Sequence, residues 1–198
     1  MQIAQTLART SYVPRAAAPP RASDRILLQL IADDDKQAMR VLFARYNVRV
    51  HRFVLRLTGN ETLAEDAVDD VFLAAWRQAK SFGGRSEVST WLLAIARNKA
   101  LSVLNRRTET PLDDDMAMKI EDRADNPEEA IIRNDRSVTF RKCLMALSPE
   151  HREVIDLVYY HEKSVEDVAR VVGIPVSTVK TRMFYARKRM ADLLKNAG

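Results

Sequence analysis

The pattern that most constrains the fold lies at residues 164–190. Apolar residues recur there at three- and four-residue steps, which predicts two helices. Gly173 falls between them and can adopt the left-handed conformation that ends a helix. Ser164 with Asp167 predicts the start of the first helix, and Ser177 the start of the second. Two helices joined by a short glycine-containing turn form a helix-turn-helix. The small Ala169 is expected to allow the helices to cross closely, and the positions expected to fill the core are Val168, Val172, Ile174 and Val179.

The second helix of this motif has an apolar and a polar face. Its inward stripe is predicted at Val179, Met183, Ala186 and Met190, at steps of four, three and four. The N-terminal part of a recognition helix contacts base edges in the major groove, and basic residues further along suit phosphates. A solvated basic helix that closes a bundle is the alternative interpretation. The candidate DNA-binding residues are Ser177, Thr178, Lys180, Thr181, Arg182, Tyr185, Arg187 and Lys188.

Helical periodicity extends over most of the chain, without sustained alternation of apolar and polar residues. Ser23 predicts the start of a first helix, and Gly59 the end of a second. Thr62 with Glu65 resembles a capping box and predicts the start of a third helix. A fourth is expected over about 87–107. The predicted fold class is all-α.

An acidic segment divides the chain. Residues 108–130 hold nine acidic and two basic residues, a net charge of −7, which leaves +12 elsewhere because the whole chain carries +5. Such a stretch without core-forming periodicity predicts a flexible linker. We therefore expect a disordered basic tail at 1–22, a helical domain at 23–107, an acidic linker at 108–129 and a second small helical domain at 130–198.

Composition argues against several classes of protein. One cysteine cannot form an internal disulfide and suits a reducing compartment. With one cysteine and three histidines, the chain lacks the second cysteine that the usual structural zinc sites require. Gly83-Gly84 lacks the downstream Gly-Lys-Ser/Thr of a P-loop. The start lacks the apolar centre of a secretory signal, and no segment is apolar enough to span a bilayer. We expect a cytoplasmic protein without membrane insertion, cofactor, metal or catalytic residues.

Several segments together resemble a known family. LSPEHREV at 147–154 and IPVSTVKTR at 174–182 are similar to domain 4 of the bacterial extracytoplasmic-function (ECF) sigma factors of the sigma-70 family. AEDAVDDVFLAAWR at 64–77 resembles the family's segment that binds core RNA polymerase, and STWLLAIARN at 89–98 resembles its promoter-melting segment. The resemblance covers about 23–195, in family order. It implies sigma domain 2 before the linker and domain 4 after it.

The resemblance implies that the 64–77 helix docks on a basic coiled coil of the polymerase β′ clamp. An acidic face adjoins an apolar seam there; a solvated acidic face is the alternative, and the two aromatic residues also suit a core. The implied polymerase-binding residues are Asp66, Asp69, Asp70, Phe72 and Trp76.

The resemblance also implies that the loop at 82–86 and the following helix hold a base flipped from the minus-10 element. Unstacking a base costs a few kcal/mol, which stacking and polar contacts must offset. Trp91 suits a core position equally well. The implied minus-10 residues are Ser86, Thr90, Trp91, Arg97, Asn98, Ser102, Arg106 and Arg107, and the helix-turn-helix is assigned to the minus-35 element.

The function implied is that of a sigma factor that binds core polymerase at the β′ clamp and β flap and initiates transcription at promoter DNA. A stress regulon under control of an anti-sigma factor belongs to the same implication. The linker would thread the polymerase cleft, or serve only as a spacer. A stand-alone helix-turn-helix regulator is the alternative function. A hydrolytic enzyme is disfavoured because Glu150, His151 and Glu153 point in different directions on one helix.

Overall fold

The structure is a computed structural model that describes residues 22–109, 139–140 and 142–196. All regular elements in these ranges are helices, which confirms the all-α prediction. The first block consists of α1 (Asp24–Ala32), α2 (Lys36–Thr58), α3 (Glu61–Gln78), a 3-10 turn (Ala79–Ser81) and α4 (Val88–Glu109). After helical residues at 139–140 and 142–145, the second block consists of α5 (Pro149–Tyr159), α6 (Val165–Val172) and α7 (Val176–Lys195).

The predicted tail and linker fall almost entirely outside the described residues. Of the tail expected at 1–22, only Ala22 is described, and it is buried. Helix α4 continues to Glu109, so the linker expected from 108 begins with the last two residues of a helix. The remainder of the linker, at 110–129, is not among the described residues.

Two of the predicted helix boundaries in the first block are confirmed. The Ser23 hydroxyl accepts a hydrogen bond from the Ile26 amide at 3.4 Å, as expected of an N-cap. Gly59 ends α2 with φ of 65°, and its amide donates to the Leu55 carbonyl at 2.8 Å. That left-handed conformation favours glycine because a side chain would meet its own backbone.

The predicted capping box of the third helix is wrong. The N-cap is Asn60, whose side-chain oxygen accepts from the Leu63 amide at 3.0 Å, and α3 begins at Glu61. Thr62 and Glu65 therefore lie inside the helix and do not form its N-cap. Asparagine satisfies an exposed N-terminal amide as well as threonine does, and here it follows directly on the glycine that ends α2.

The first block has a core built from one stripe of each helix. Its centre consists of fully buried side chains, among them Leu27, Leu42, Phe53, Val71 and Leu92. Asp24 fixes α1 against α2 by accepting hydrogen bonds from Arg45 and from the Tyr46 hydroxyl. Burial and this hydrogen bond raise the pKa of Tyr46, so the phenol stays protonated.

The helix-turn-helix forms at α6 and α7 as predicted, apart from one cap. Ser164 accepts from the Asp167 amide at 3.0 Å, and Gly173 ends α6 with φ of 75°. The N-cap of α7 is Pro175 rather than Ser177, because the extended proline already directs the chain into a helix beginning at Val176. Ser177 is consequently an exposed residue of the first turn.

The two blocks contact each other. Helix α4 packs against α6, α2 contacts α5, and the buried apolar residues form one cluster that includes members of both blocks. The acidic face of α3 and the polar face of α7 remain exposed in this arrangement. Within the described ranges, no helix has the length and apolarity to cross a membrane.

Candidate functional site

The polar face of α7 is presented to solvent. Its predicted inward stripe is confirmed, since Val179, Met183, Ala186 and Met190 are all buried. Burial of that stripe fixes the rotation of the helix and turns the opposite side outward. Of the predicted minus-35 residues, Thr178 and Arg182 are half-buried. The other six are exposed, namely Ser177, Lys180, Thr181, Tyr185, Arg187 and Lys188.

Helix α7 also carries an exposed aromatic pair. The Phe184 side chain is 63% exposed, and its ring contacts Tyr185 edge-on at 5.4 Å between centroids. Beside it lies an open groove of about 470 Å³. Phe184 was not among the predicted site residues, although a large apolar residue outside the buried stripe is a signal available from sequence. The groove is lined by Val165, Lys180, Met183, Phe184, Arg187 and Lys188.

The start of α6 holds a charged carboxylate. Burial raises the pKa of Asp167, but hydrogen bonds from the Ser164 hydroxyl and from Arg170 outweigh it, and the net shift is downward. The Arg170 Nη1 atom lies 2.9 Å from the Asp167 carboxylate. A carboxylate at a helix N-terminus also interacts favourably with the helix dipole. The first turn of α6 therefore carries a carboxylate whose charged form is stabilised by the Ser164 hydroxyl and Arg170.

The acidic face of α3 is formed by Asp66 and Asp69, which are both exposed. Asp70 is half-buried, and its carboxylate lies 3.4 Å from the Lys99 ammonium of α4. An ion pair this exposed contributes little to stability because water screens it. Two carboxylates on this face thus face solvent, and the third contacts a neighbouring helix.

The two aromatic residues of α3 are placed differently from its carboxylates. Phe72 is 4% exposed, and its ring packs edge-on against Phe43 of α2 at 4.8 Å between centroids. It was predicted to contact the polymerase, whereas here it forms part of the core. Trp76 is half-buried and packs against the same core.

An apolar border on α2, missed in the sequence, adjoins the acidic face. Phe43 and Val48 are 38% and 56% exposed and lie outside the stripe that α2 buries. They line an open groove of about 550 Å³ between α2 and α3, together with the acidic Glu65 and Asp69 and the basic His51 and Arg52. Apolar groups and charges of both signs therefore occur together on this side of the first block.

The predicted minus-10 residues on α4 do not share one environment. Asn98 and Arg106 are exposed and Ser102 is half-buried; they follow one another at steps of four residues, on one side of the helix. Thr90 is 1% exposed, and its hydroxyl has no hydrogen-bond partner among the described residues. Arg107 belongs to α4, but its side chain is outside what the structure describes.

Arg97 forms an ion pair with the second block that the sequence did not predict. Its Nε atom lies 2.6 Å from the Glu153 carboxylate of α5, in the second block. The Arg97 side chain is 20% exposed and that of Glu153 is 6% exposed. This guanidinium, predicted to meet DNA, is engaged by a carboxylate of the chain itself.

The loop before α4 has aromatic and polar support. The rings of Phe82 and Trp91 lie 5.2 Å apart, and both side chains are half-buried against the core. Ser86 is half-buried, and Gly84 has φ of 67°. Arg25 of α1 donates to the Gly84 carbonyl at 3.3 Å, a contact that joins this loop to the first helix.

A helical bundle with an acidic, apolar-bordered face, followed by a helix-turn-helix, is the organisation of a two-domain transcription factor. Comparison with known protein families agrees with this organisation. The family model described as Sigma-70 region 2 matches residues 42–110, and the one described as Sigma-70, region 4 matches residues 137–190. The ECF RNA polymerase sigma factor SigM of Mycobacterium tuberculosis is 34% identical over 175 residues, covering 87% of this chain and 85% of SigM. The chain belongs to the ECF sigma factors of the sigma-70 family.

Solved structures show the same relationship. CnrH, in complex with the cytosolic domain of CnrY, is 25% identical with a TM-score of 0.65, over 89% of this chain and 100% of CnrH. RpoE of Bartonella quintana, in complex with the anti-sigma factor NepR, is 26% identical with a TM-score of 0.61, over 79% of this chain and 96% of RpoE. These likenesses confirm the predicted family over a stand-alone helix-turn-helix regulator.

Proposed function

We propose that this sigma factor divides its work among three surfaces. The acidic face of α3 binds the polymerase clamp, α7 reads the minus-35 duplex, and α4 with the preceding loop holds the opened minus-10 strand. The observation that carries the proposal is the exposure of both the α3 carboxylates and the polar face of α7 while their apolar stripes are buried. The bond-making chemistry belongs to the polymerase.

On the minus-35 element, the first turns of α7 enter the major groove. Ser177 and Thr181 present hydroxyl groups there, and Arg182 can donate two hydrogen bonds to a guanine. Arg187 and Lys188 lie further along the exposed side and suit phosphates, which position the protein without reading sequence. Residues at the start of α7 thus read the promoter sequence, and the basic residues towards its end increase the affinity for DNA.

On the minus-10 element, α4 must offset the cost of a base that leaves the stack. The exposed Asn98 amide can hydrogen-bond a base edge, and Arg106 can hold a phosphate. Trp91, half-buried against Phe82, supports the loop and leaves part of its ring at the surface. Melting without ATP then depends on capture of the opened strand by this side of α4.

Docking on the polymerase combines charge with apolar contact. Asp66 and Asp69 complement a basic coiled coil, while Phe43 and Val48 supply the adjoining apolar border. Charged groups at such a rim raise the association rate, and apolar side chains at the centre lower the dissociation rate. Asp70 has a smaller role because Lys99 already pairs with it.

The division into domains belongs to the same proposal. Residues 23–107 act as sigma domain 2 and 130–198 as domain 4, the latter also touching the β flap; the segment 108–129 joins them and follows the polymerase cleft. The protein works in the cytoplasm with the polymerase. A separate anti-sigma factor, of the kind that binds the Bartonella quintana relative, restrains it until a stress signal arrives.

Transcription with purified core polymerase on genomic templates tests the function. Specific transcripts that depend on the chain are expected. The double variant Asp66→Arg/Asp69→Arg should lose co-purification with core polymerase and also lose transcription, because two repulsive charges then face the clamp. The control Asp192→Arg reverses an exposed carboxylate of α7 and should co-purify normally. Normal co-purification of the double variant would contradict the docking surface.

A further inference from the structure

The loop at residues 82–86 is anchored at its two ends. The Phe82 ring packs against the Trp91 ring at 5.2 Å between centroids, and Val88, just after the loop, is 1% exposed. In the middle of the loop, the residues on either side of Gly84 are exposed. A segment with few buried contacts opens easily. A single conformation at the middle of this loop therefore depends on a contact from another element.

Arg25 of α1 supplies such a contact. Its Nη2 atom donates to the Gly84 carbonyl at 3.3 Å, across 59 positions of the chain. Gly84 has φ of 67°, a conformation that side chains rarely allow, so the glycine sets the direction of the carbonyl that Arg25 meets. A Cβ atom at Gly84 would lie 3.8 Å from Arg25 Nη1. The guanidinium thus packs against the loop as well as donating to it.

Helix α1 is a fixed support for the Arg25 side chain. The neighbouring Asp24 accepts hydrogen bonds from Arg45 and from the Tyr46 hydroxyl, both of α2. Leu27, on the following positions of the same helix, is fully buried. Helix α1 also packs against the 3-10 turn that precedes the loop. The backbone that carries Arg25 is therefore held from two sides, and it does not depend on the Arg25 side chain.

The contact is suited to ordering the loop rather than to stabilising the block. A hydrogen bond this exposed adds little to the stability of the whole chain, because water competes for both partners. It can still decide between conformations of a short loop, since these differ by a comparably small free energy. A loop that is ordered before its ligand arrives loses less conformational entropy on binding. Arg25 is therefore placed to affect what the loop binds.

We propose that Arg25 is a positioning residue for capture of the flipped minus-10 base. It holds the Gly84 backbone, and with it the loop at 82–86, in the conformation that receives the base. The proposal rests on the function proposed for this loop and α4, and it adds the residue that orders the loop. Arg25 acts through the loop and does not contact the DNA. Capture of the base then does not have to order the loop as well.

A phosphate contact is the competing role for Arg25. The side chain is exposed, and a guanidinium has five N–H donors, so one bond to Gly84 leaves others for an anion. A phosphate contact contributes whether or not the base is present, and its loss lowers the slope of log affinity against log salt by about 0.7 on a single strand. A positioning residue changes only the part of the affinity that the base provides, and it leaves the salt slope unchanged.

The first measurement is the freedom of the loop in the free, full-length chain. Arg85 is an exposed residue of the loop, and the rate at which trypsin cleaves after it reports how often the loop opens. Arg25→Ala should accelerate this cleavage roughly fivefold, as expected for the loss of one hydrogen bond. Gln29→Ala, an exposed position one turn further along α1, and Arg40→Ala, an exposed arginine of α2, should match the parent. Circular dichroism confirms that each variant is folded.

The second measurement is promoter opening by the holoenzyme, on a promoter that the transcription experiment identifies. Single abasic positions are placed along the non-template strand of the minus-10 element, and permanganate reactivity reports opening. The captured base is the one whose removal reduces opening most in the parent. Arg25→Ala should reduce opening of the intact promoter roughly fivefold. On the template that lacks the captured base, Arg25→Ala and the parent should agree within about twofold. Both controls should match the parent on both templates.

The outcomes separate the proposal from its alternatives. Equal cleavage rates in Arg25→Ala and the parent would show that Arg25 does not hold the loop. Faster cleavage with unchanged opening would show that the held conformation is not the one that receives the base. Equal losses on the intact and abasic templates would overturn the positioning role, and a smaller salt slope would then make Arg25 a phosphate contact.

Failure of the proposed function gives a different result. A parent holoenzyme that is insensitive to every abasic position would contradict base capture itself, and with it the role of Arg25 in capture. The trypsin measurement needs no DNA or polymerase, so it distinguishes that result from a loop that Arg25 does not order.

Discussion

Helices α7 and α4 were both predicted to contact DNA, but the predicted residues of the two helices differ in their exposure and in their contacts. All predicted residues of α7 lie on a face that is open or half-open to solvent. On α4, Asn98 and Arg106 are open, whereas Thr90 is buried and Arg97 is held by Glu153. The surface proposed to read an intact duplex is therefore exposed in this structure, whereas the surface proposed to capture a melted strand is partly engaged by the second block.

The difference follows from how each face is built. The orientation of α7 is fixed within its own motif, since its buried stripe packs on the preceding helices of the same block. The environment of α4 depends on α6, which comes more than fifty residues later in the chain and packs against it. The exposed face of α7 is thus determined within its own block, whereas that of α4 depends on tertiary contacts with the other block.

The largest effect is expected at the buried stripe that orients α7. Met183→Ala should lower the free energy of unfolding by about 2–5 kcal/mol, because Met183 is 3% exposed and truncation leaves a cavity. The neighbouring Phe184→Ala should change it by no more than about 0.5 kcal/mol, because Phe184 is 63% exposed. Urea unfolding measures both, and equal losses would show that the helix is rotated from its described position.

Next in size is the loss of base recognition by α7. Arg182→Ala should weaken binding of the holoenzyme to its own promoter by roughly 1–3 kcal/mol if the guanidinium contacts a guanine through two hydrogen bonds. Lys188→Ala should weaken binding to all sequences alike and reduce the salt dependence. Competition between specific and random duplexes measures the distinction. A uniform loss with Arg182→Ala would make Arg182 a phosphate contact.

A smaller and later effect is expected on the open side of α4. Asn98→Ala removes one hydrogen bond to the captured strand, worth about 1 kcal/mol or roughly fivefold in the population of open complexes. Closed-complex affinity should be unchanged. Permanganate reactivity of the melted thymines measures opening directly, with Gln37→Ala, an exposed amide at the start of α2, as the control. Parent-like reactivity in Asn98→Ala would remove it from the site.

The smallest effect concerns the cap of α6. The pKa of Asp167 is lower in the folded chain than in the unfolded one, so its contribution to stability is complete above the unfolded value, about 4. It is lost as the pH falls through the folded value. Between pH 5 and pH 3, Asp167→Asn should therefore lose less stability than the parent. Parallel acid-unfolding curves for the two proteins would show that Asp167 contributes no linked protonation.

The features that could be predicted from the sequence are those that depend on residues close together in the chain. The stripe of α7, the left-handed glycines at 59 and 173, and the cap at Ser164 are each fixed by neighbours in the chain. Two caps were wrong because each helix begins two residues earlier than predicted, one after Asn60 and the other after Pro175. Periodicity can place a helix, but it cannot choose between adjacent residues that are both suited to its start.

The tertiary part of the site could not be predicted in this way. Nothing near Arg97 in the sequence indicates that its partner is Glu153, because the two are separated by the acidic segment and brought together by packing. Phe72 shows the same limit, since an aromatic residue beside carboxylates suits an interface or a core equally well. Only its 4% exposure in the folded chain shows that it belongs to the core. Family resemblance predicts which surfaces bind polymerase and DNA, but it does not predict which of their side chains are buried or paired in this structure.

The most direct measurement is the distance between the blocks in the complete initiation complex. With dyes at Lys36→Cys and Ala191→Cys, energy transfer should be high in the free chain and fall when core polymerase and promoter DNA form an open complex. The reason is that Arg97, which is predicted to contact the opened strand, is paired with Glu153 of the second block in this structure. An open complex that melts its promoter and transcribes while energy transfer keeps its free-chain value would contradict the account.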